Sequence, residues 1–230
     1  MISRVYRGLL LSVIVLCSVT AHAGELTFTF IGNMAFHITD GETTLLSDYP
    51  YISGAFGYME YDEKDVPEIK DGLHLVTHFH TDHWAARQFK AMDQKTKIIA
   101  PPRMTKRLDQ DRVIPVTTDA PMTFKDITLE AIPMPHRLAP EHFSYLVTWK
   151  GKRIYFMGDT ETPEDILKQK DLDVLFISPW IVRTIERQNL TVDAKQLILY
   201  HQKIDEEVPE FQNYLRIKQG ATYTLEYDGE

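Results

Sequence analysis

The segment His78-Phe79-His80-Thr81-Asp82-His83 places three imidazoles and one carboxylate within six residues. It follows Leu73 to Thr77, an apolar and β-branched run that predicts a buried strand. Because side chains alternate along a strand, His78 and His80 should leave its end on the same face. Imidazole and carboxylate together suit zinc, iron or manganese. The spacing therefore predicts a metal site, against the alternative of solvated histidines and a helix-capping aspartate.

The residues after this segment turn the chain back toward the same volume. Trp84 to Lys90 predicts a helix, and Thr81, Asp82 and His83 stand where it would begin. Asp82 and His83 thus become two further candidate ligands beside His78 and His80.

The pattern His78-x-His80-x-Asp82-His83 resembles the signature of the metallo-β-lactamase fold superfamily of metal-dependent hydrolases. The turn Ile31-Gly32-Asn33-Met34-Ala35 is similar to one in the lactonase-like and phospholipase-like branch. This resemblance implies an α/β fold, a four-layer αββα sandwich in a single domain.

The first 23 residues have the features of a secretory signal peptide. Arg4 and Arg7 precede an apolar run from Leu9 to Val19, and Ala21-His22-Ala23 fits a cleavage site. We predict a signal peptide over 1–23, a hydrolase domain over 24–230, and a secreted or periplasmic location. A membrane anchor would need about 20 apolar residues, so no stable span is expected after cleavage. A lipoprotein would modify Cys17, but Leu16 stands where a small residue is usual.

Charge and cysteine content limit the partners of the mature domain. Loss of Arg4 and Arg7 leaves 23 of the 25 basic residues against 33 acidic ones. Such an acidic domain does not favour nucleic acid or anionic lipid, so a small-molecule substrate is expected. Cys17 is the only cysteine, and its removal leaves neither a disulfide nor a thiolate ligand.

A later histidine follows the alternating strand predicted over Ile127 to Ile132. Pro133 and Pro135 should stop strand pairing, so that His136 projects from a loop. His142 competes for the same role, as a ligand, a substrate contact or a structural group. The family's third motif, a lone histidine after such a strand, favours His136.

Two further candidates end buried strands. Asp159 follows Gly158 after the hairpin strand Arg153 to Met157, as a carboxylate bridging two cations or as a cap of the helix predicted over Thr162 to Lys170. His201 follows Leu197 to Tyr200, and only the resemblance makes it the last ligand. The resemblance likewise makes Asp48 a residue that orients ligands, although it could simply open a proline turn.

The loops around these strand ends should form a pocket. We predict loops over Tyr49 to Pro67, Arg137 to His142 and Ser178 to Thr191, a helical turn over Val192 to Gln196, a helix over Val208 to Ile217 and an edge strand over Ala221 to Glu226. The candidate pocket residues are aromatic or basic: Tyr51, Phe56, Tyr58, Trp180, Arg137, Arg183 and Arg187. Each has an ordinary alternative, packing for the aromatic residues and solvation for the arginines.

The resemblance assigns His78, His80 and His136 to a first metal, Asp82, His83 and His201 to a second, and Asp159 between them. Two divalent ions are therefore expected, with Zn²⁺ preferred and Mn²⁺ or Fe as alternatives. A hydroxide bridging them would attack a small ester, lactone or phosphodiester. Asp82 or Asp159 would return the proton to the leaving group.

Two other functions are compatible with the same residues. The fold can carry iron and act as an oxidoreductase, or the chain could bind metal without catalysis. β-Lactam hydrolysis is not expected as the main activity, because β-lactamases usually have Cys or His where this chain has Asp159.

Overall fold

The computed structural model describes residues 23–228, so the predicted signal peptide lies, except for its last residue, outside the described residues. The described chain forms twelve strands: β1 Gly24–Gly32, β2 Ala35–Thr39, β3 Thr44–Ser47, β4 Gly72–Leu75, β5 Lys97–Ile99, β6 Met122–Phe124, β7 Ile127–Pro133, β8 Phe143–Trp149, β9 Lys152–Phe156, β10 Leu172–Ile177, β11 Ala194–Leu199 and β12 Thr222–Tyr227. Its α-helices are short: α1 Ala86–Ala91, α2 Pro102–Thr105, α3 Glu164–Lys168 and α4 Pro179–Arg187. None of these helices has the length and apolar character needed to cross a membrane.

The strands form two mixed six-stranded sheets. The first has the order β12-β1-β2-β3-β4-β5 and is antiparallel up to β3, after which β3, β4 and β5 are parallel. The second has the order β11-β10-β9-β8-β7-β6, in which β9, β10 and β11 are parallel. The expected single-domain α/β sandwich is therefore confirmed, with the two sheets as inner layers and short helices flanking them.

The core lies between the sheets and is dominated by aromatic rings. Phe36 of β2 contacts Phe176 of β10 with ring centroids 4.7 Å apart, and Phe176 stacks on Phe156 of β9 at the same distance. All three side chains are buried. Burial of one such side chain contributes about 1.5–3 kcal/mol, so this contact fixes one sheet against the other.

The parallel halves of both sheets direct their carboxyl ends to the same edge of the sandwich. β3 is followed by Asp48, β4 by the segment 78–83, and β11 by His201. Side chains delivered by strand ends converge at such an edge. The fold thus brings together residues far apart in sequence.

The helix predicted over Val208 to Ile217 is wrong. This segment is irregular, and Gln212 and Asn213 have left-handed backbone conformations. Pro209 cannot donate a helical hydrogen bond, while Leu215 pairs with the edge of β11 instead. The helical turn predicted over Val192 to Gln196 is also wrong, because β11 begins at Ala194.

The loop predicted over Ser178 to Thr191 is wrong over most of its length, since it contains α4. Pro179 occupies the first turn, where a missing N–H costs nothing. Ile181, Val182 and Ile185 lie on one buried face at helical spacing. The edge strand predicted near the C-terminus is present as β12, paired with β1.

Candidate metal centre

One cluster of possible ligand atoms is formed by Asp82, His83 and His201. The Nε2 atoms of His83 and His201 are 3.2 Å apart, and Asp82 Oδ2 lies 3.4 Å from each. All three side chains are buried. The cluster joins the loop after β4 in the first sheet to the end of β11 in the second.

A second cluster is formed by His78, His80, His136 and Asp159. His78 Nε2 lies 2.9 Å from His80 Nδ1, which lies 3.5 Å from His136 Nε2. His136 is delivered by the loop after β7, and Asp159 by the turn after β9. The seven side chains singled out in the sequence are thus brought to one place, in the two groups that the resemblance implied.

Asp159 lies between the clusters and directs one oxygen toward each. Its Oδ1 is 3.1 Å from His201 Nε2 and 3.3 Å from His83 Nε2, whereas its Oδ2 is 3.7 Å from His78 Nε2. This is the arrangement required of a carboxylate that bridges two cations. The alternative role of Asp159 is to cap the helix predicted over Thr162 to Lys170. That helix is present only as the shorter α3, which begins five residues after Asp159.

Asp48 and Thr77 fix the hydrogen positions on two of the histidines. Asp48 Oδ2 lies 3.1 Å from His83 Nδ1, so this nitrogen donates and the lone pair of Nε2 faces the cluster. The Thr77 hydroxyl donates to Asp48 and can therefore accept from His78 Nδ1 at 3.1 Å. His78 Nε2 then also presents a lone pair. Such partners typically orient metal-binding histidines.

The donor set fits divalent metals. Four ligands about 2.0–2.1 Å from a tetrahedral zinc lie about 3.4 Å apart, and the donor atoms of each cluster have spacings close to this value. The Nε2 atoms of His83 and His201 face each other with Asp82 Oδ2 beside both, so a cation between them would contact all three. Asp82 Oδ1, a buried oxygen without a hydrogen-bond partner among the described residues, adds to the fit.

The clusters are strongly coupled electrostatically. Burial opposes the charged form of His83, but the carboxylates of Asp159 and Asp48 outweigh it and raise its pKa well above the ordinary value. Burial also opposes ionisation of Asp159, yet the imidazoles of His201 and His83 hold its pKa well below the ordinary value. Burial lowers the pKa of His78, with a further contribution from His83, so that His78 stays neutral. The ionised carboxylates and the neutral His78 are in metal-binding forms, whereas His83 would lose a proton when a cation binds.

Two residues to which the sequence analysis gave no role of their own, Asn33 and Tyr200, hold the site together. Asn33, buried and left-handed with φ of 51°, donates from Nδ2 to the Asp82 carbonyl at 2.8 Å and accepts from His201 N–H at 2.9 Å. The Tyr200 hydroxyl accepts from Gly158 N–H at 2.8 Å. The only sequence signal for Asn33 is its position in a short turn between two strands.

His142, the competitor of His136, lies beneath the site. Its Nε2 accepts from the backbone N–H of Asp159 at 2.9 Å, and burial lowers its pKa to about 4. It therefore supports the turn that carries Asp159 and is absent from both groups of possible ligand atoms.

A cleft of about 570 Å³ opens beside His201. Its lining residues are Gly57, Tyr58, Trp180, His201, Lys203, Ile204, Asp205 and Glu206. Tyr58 and Trp180 stand edge-on to the His201 ring, with centroids 4.3 and 5.0 Å away. Tyr51 is buried and donates to the Met59 carbonyl, so its alternative as a packing residue is the correct one. A larger groove of about 650 Å³, lined by residues such as Glu60 and Asp65, contains none of the clustered side chains.

Comparisons with known proteins give the following results. A family model described as Beta-lactamase superfamily domain matches residues 64–209. No curated protein matches the chain.

Several solved structures share the fold at low sequence identity. A proposed metal-dependent hydrolase from Parabacteroides distasonis has a TM-score of 0.63 and 23% identity, with 80% of this chain and 86% of that chain covered. Igni18, a metallo hydrolase from Ignicoccus hospitalis, has a TM-score of 0.63 and 15% identity, with coverage of 89% and 100%. CmlA, a diiron β-hydroxylase from Streptomyces venezuelae, has a TM-score of 0.55 and 15% identity, with coverage of 77% and 45%.

Proposed function

The chain belongs to the beta-lactamase superfamily, as the resemblance of its histidine-rich segment indicated, and on that premise we propose that it is a metal-dependent hydrolase with two metals. Its substrate is a small ester, lactone or phosphodiester. The observation that carries this proposal is the position of Asp159, whose two oxygens face two separate clusters of imidazole and carboxylate atoms.

Each cluster would hold one divalent ion, Zn²⁺ by preference and Mn²⁺ or Fe as alternatives. One set consists of His78, His80 and His136, the other of Asp82, His83 and His201, and Asp159 belongs to both. Bound there, the two ions would lower the pKa of a shared water and polarise the oxygen of the bond that is attacked.

The protein's own side chains handle the proton and the approach of the substrate. Asp82 directs Oδ2 toward His83 and His201, while its buried Oδ1 has no hydrogen-bond partner within the described part of the chain. Asp82 Oδ1 is therefore available to take a proton from water and return it to the leaving group. Tyr58 and Trp180 flank the His201 ring and line the cleft, which is the route of entry for the substrate.

A substrate panel on metal-loaded protein tests this proposal. Purified protein is loaded with zinc, manganese or iron and assayed against esters, lactones, phosphodiesters and β-lactams. Asp82→Ala should abolish hydrolysis while the circular dichroism spectrum is retained, and the exposed control Asp111→Asn should keep full activity. Undiminished hydrolysis by Asp82→Ala would reject the mechanism.

The same experiment separates the two alternative functions. Iron retained on purification together with substrate-dependent oxygen uptake would identify an oxidoreductase. Tight zinc binding with no turnover of any compound in the panel would identify a metal-binding protein without catalysis.

Export is a separate part of the proposal. The mature protein is expected to begin at Gly24 in the periplasm or outside the cell. N-terminal sequencing of protein from those fractions tests it, and a retained Met1 would contradict it.

A further inference from the structure

The exposed apolar side chains of this protein are concentrated around the metal centre. Among the described residues, the large apolar side chains that are exposed are Ile52, Phe56, Leu138, Ile204 and Leu215. All but Leu215 lie on loops at the mouth of the site. Scattered single exposed apolar residues need no explanation, but a group beside a candidate active site does.

Contacts place Ile52, Phe56 and Leu138 beside the histidines of the site, and Ile204 lines the cleft beside His201. The N–H of Ile52 donates to the Thr81 carbonyl at 2.7 Å, within the histidine-rich segment. The Phe56 ring lies 6.4 Å from the His80 ring, and Leu138 lies in the turn that the Ala139 N–H closes on the His136 carbonyl at 3.1 Å. We name Ile52, Phe56, Leu138 and Ile204 the apolar rim.

The backbone around Phe56 is held in an unfavourable conformation. Phe56 has φ of 53°, between Gly54 and Gly57, which both have φ of 75°. A left-handed conformation costs a non-glycine residue about 1–2 kcal/mol. Its side chain is nonetheless 69% exposed, so burial of the ring in this structure does not offset the cost. Strain of this kind concentrates at ligand-binding sites.

Ile204 continues the apolar surface into the cleft beside His201. It is 75% exposed and lines the cleft together with Tyr58 and Trp180. Of the acidic residues there, Glu206 is paired with Arg183 at 2.8 Å. Exposed apolar side chains therefore lie near both clusters, Phe56 near His80 and Ile204 in the cleft beside His201.

Resting on the proposed function, we propose that the substrate is an ester or lactone with an apolar acyl chain, which lies along Tyr58, Trp180 and Ile204 with Phe56 at its edge. The carboxyl carbon then lies toward His201, and the chain packs against these side chains along the cleft. Four rim residues are too few for a stable interface with a second copy, which needs about 800 Å² on each partner. The net charge of −8 also opposes docking on an anionic lipid surface.

Binding of product-like carboxylates measures this inference without catalysis. Straight-chain carboxylates from acetate to octanoate are titrated into zinc-loaded and metal-free protein by calorimetry. Affinity of the zinc-loaded protein should increase up to about fourfold for each added methylene, as expected for transfer of a CH₂ group from water at about 0.8 kcal/mol. A carboxylate series in which affinity is independent of chain length would overturn the inference.

The matched variant is Phe56→Asn combined with Ile204→Asn. Both positions are exposed, and Asn tolerates the left-handed conformation of residue 56, so the fold should be retained. Octanoate affinity should fall at least tenfold, with acetate affinity unchanged. The control Leu215→Asn, an exposed position paired with β11, should behave as the unsubstituted protein. Retention of the full chain-length dependence in the double variant would contradict the inference.

Further outcomes distinguish this inference from the proposed function. A chain-length dependence of binding without hydrolysis of any C2–C8 p-nitrophenyl ester would reject the proposed function and support the apolar site. Equal kcat/KM values for hydrolysis across that series, together with binding that is independent of chain length, would support the proposed function and overturn this inference. If the protein binds phosphatidylcholine vesicles and the double variant does not, the apolar rim contacts a bilayer. If the protein dimerises in sedimentation velocity and the double variant does not, the apolar rim contacts a second copy. Either result would overturn the inference.

Discussion

Asp48 controls the chemistry of the metal centre without belonging to either cluster. Its carboxylate accepts from Thr77 N–H at 2.8 Å and faces His83 Nδ1 at 3.1 Å. One buried group thereby sets the tautomer of His83 directly and that of His78 through the Thr77 hydroxyl. The sequence predicted this orienting role only through the resemblance, because an aspartate before Tyr-Pro equally predicts a turn.

Replacement of Asp48 by Asn should weaken metal binding. If Asn keeps its carbonyl toward Thr77, its NH₂ group faces His83 Nδ1, which must then accept, so Nε2 carries the hydrogen and cannot bind metal. We expect zinc affinity to fall 10–100-fold in competition with a chelator. The control Thr77→Ser retains the hydroxyl and should stay within about threefold of the original affinity. Equal affinities for both variants would contradict the role of Asp48.

His74 makes stability depend on pH. It is fully buried on β4, donates from Nδ1 to the Tyr49 carbonyl at 2.7 Å, and burial lowers its pKa from 6.5 to about 4. Between these two values the unfolded chain binds the proton and the folded chain does not, so stability is lost as pH falls from about 6.5 to about 4. At pH 5 the loss from this group is about 2 kcal/mol, from 1.36 kcal/mol for each pH unit.

The variant His74→Asn removes this titration and keeps a donor for Tyr49. Urea unfolding with a chelator present, at pH 7.5 and pH 5, should show a free-energy loss about 2 kcal/mol smaller in the variant. A loss of the same size in both proteins would show that His74 does not set this pH dependence.

At the scale of elements, the turn after β9 is the most constrained connection of the site. Gly158 has φ of 63°, its N–H donates to the Tyr200 hydroxyl, and a Cβ would overlap the His142 imidazole. Gly151, in the hairpin between β8 and β9, has φ of 72° and open space around it. The two glycines therefore separate the cost of backbone conformation from the cost of overlap.

Gly158→Ala should be much more destabilising than Gly151→Ala. We expect the free energy of unfolding to fall by about 1–2 kcal/mol for Gly151→Ala, the cost of a left-handed alanine. Gly158→Ala adds overlap in a packed interior, which brings the total to about 3 kcal/mol or more. Chemical denaturation of both variants without metal measures this difference, and equal losses would contradict the close approach of His142.

Most strands and the two helices α1 and α3 were predictable from the sequence, whereas α4 and the irregular segment 208–217 were not. The strands carry apolar or alternating runs such as Ile127 to Ile132, and burial between two sheets enforces that pattern. Val208 to Ile217 has helical spacing as well, but Pro209 and the unpaired edge of β11 compete for its backbone. The loop predicted over Ser178 to Thr191 overlooked that Pro179 is favourable in a first helical turn and that Ile181, Val182 and Ile185 have helical spacing.

For the whole molecule, the metal centre joins the two sheets. Asp82 and His83 come from the first sheet, and His136, Asp159 and His201 from the second. The sequence predicted their convergence only through the order of the family's motifs, because spacing alone relates residues within one segment. It did not predict Asn33 as the link between Asp82 and His201, since that contact exists only after both sheets have formed.

Metal content of variants with one cluster altered tests the central claim, that two clusters each hold one divalent ion. Protein is equilibrated with zinc, dialysed and analysed by plasma emission spectrometry. The unsubstituted protein should hold two ions per chain, and His201→Asn and His136→Asn should each hold one. The control His37→Gln, a buried histidine outside both clusters, should hold two. Two zinc ions per chain in the unsubstituted protein and in both single variants would contradict the account. So would an unsubstituted protein that retains no zinc.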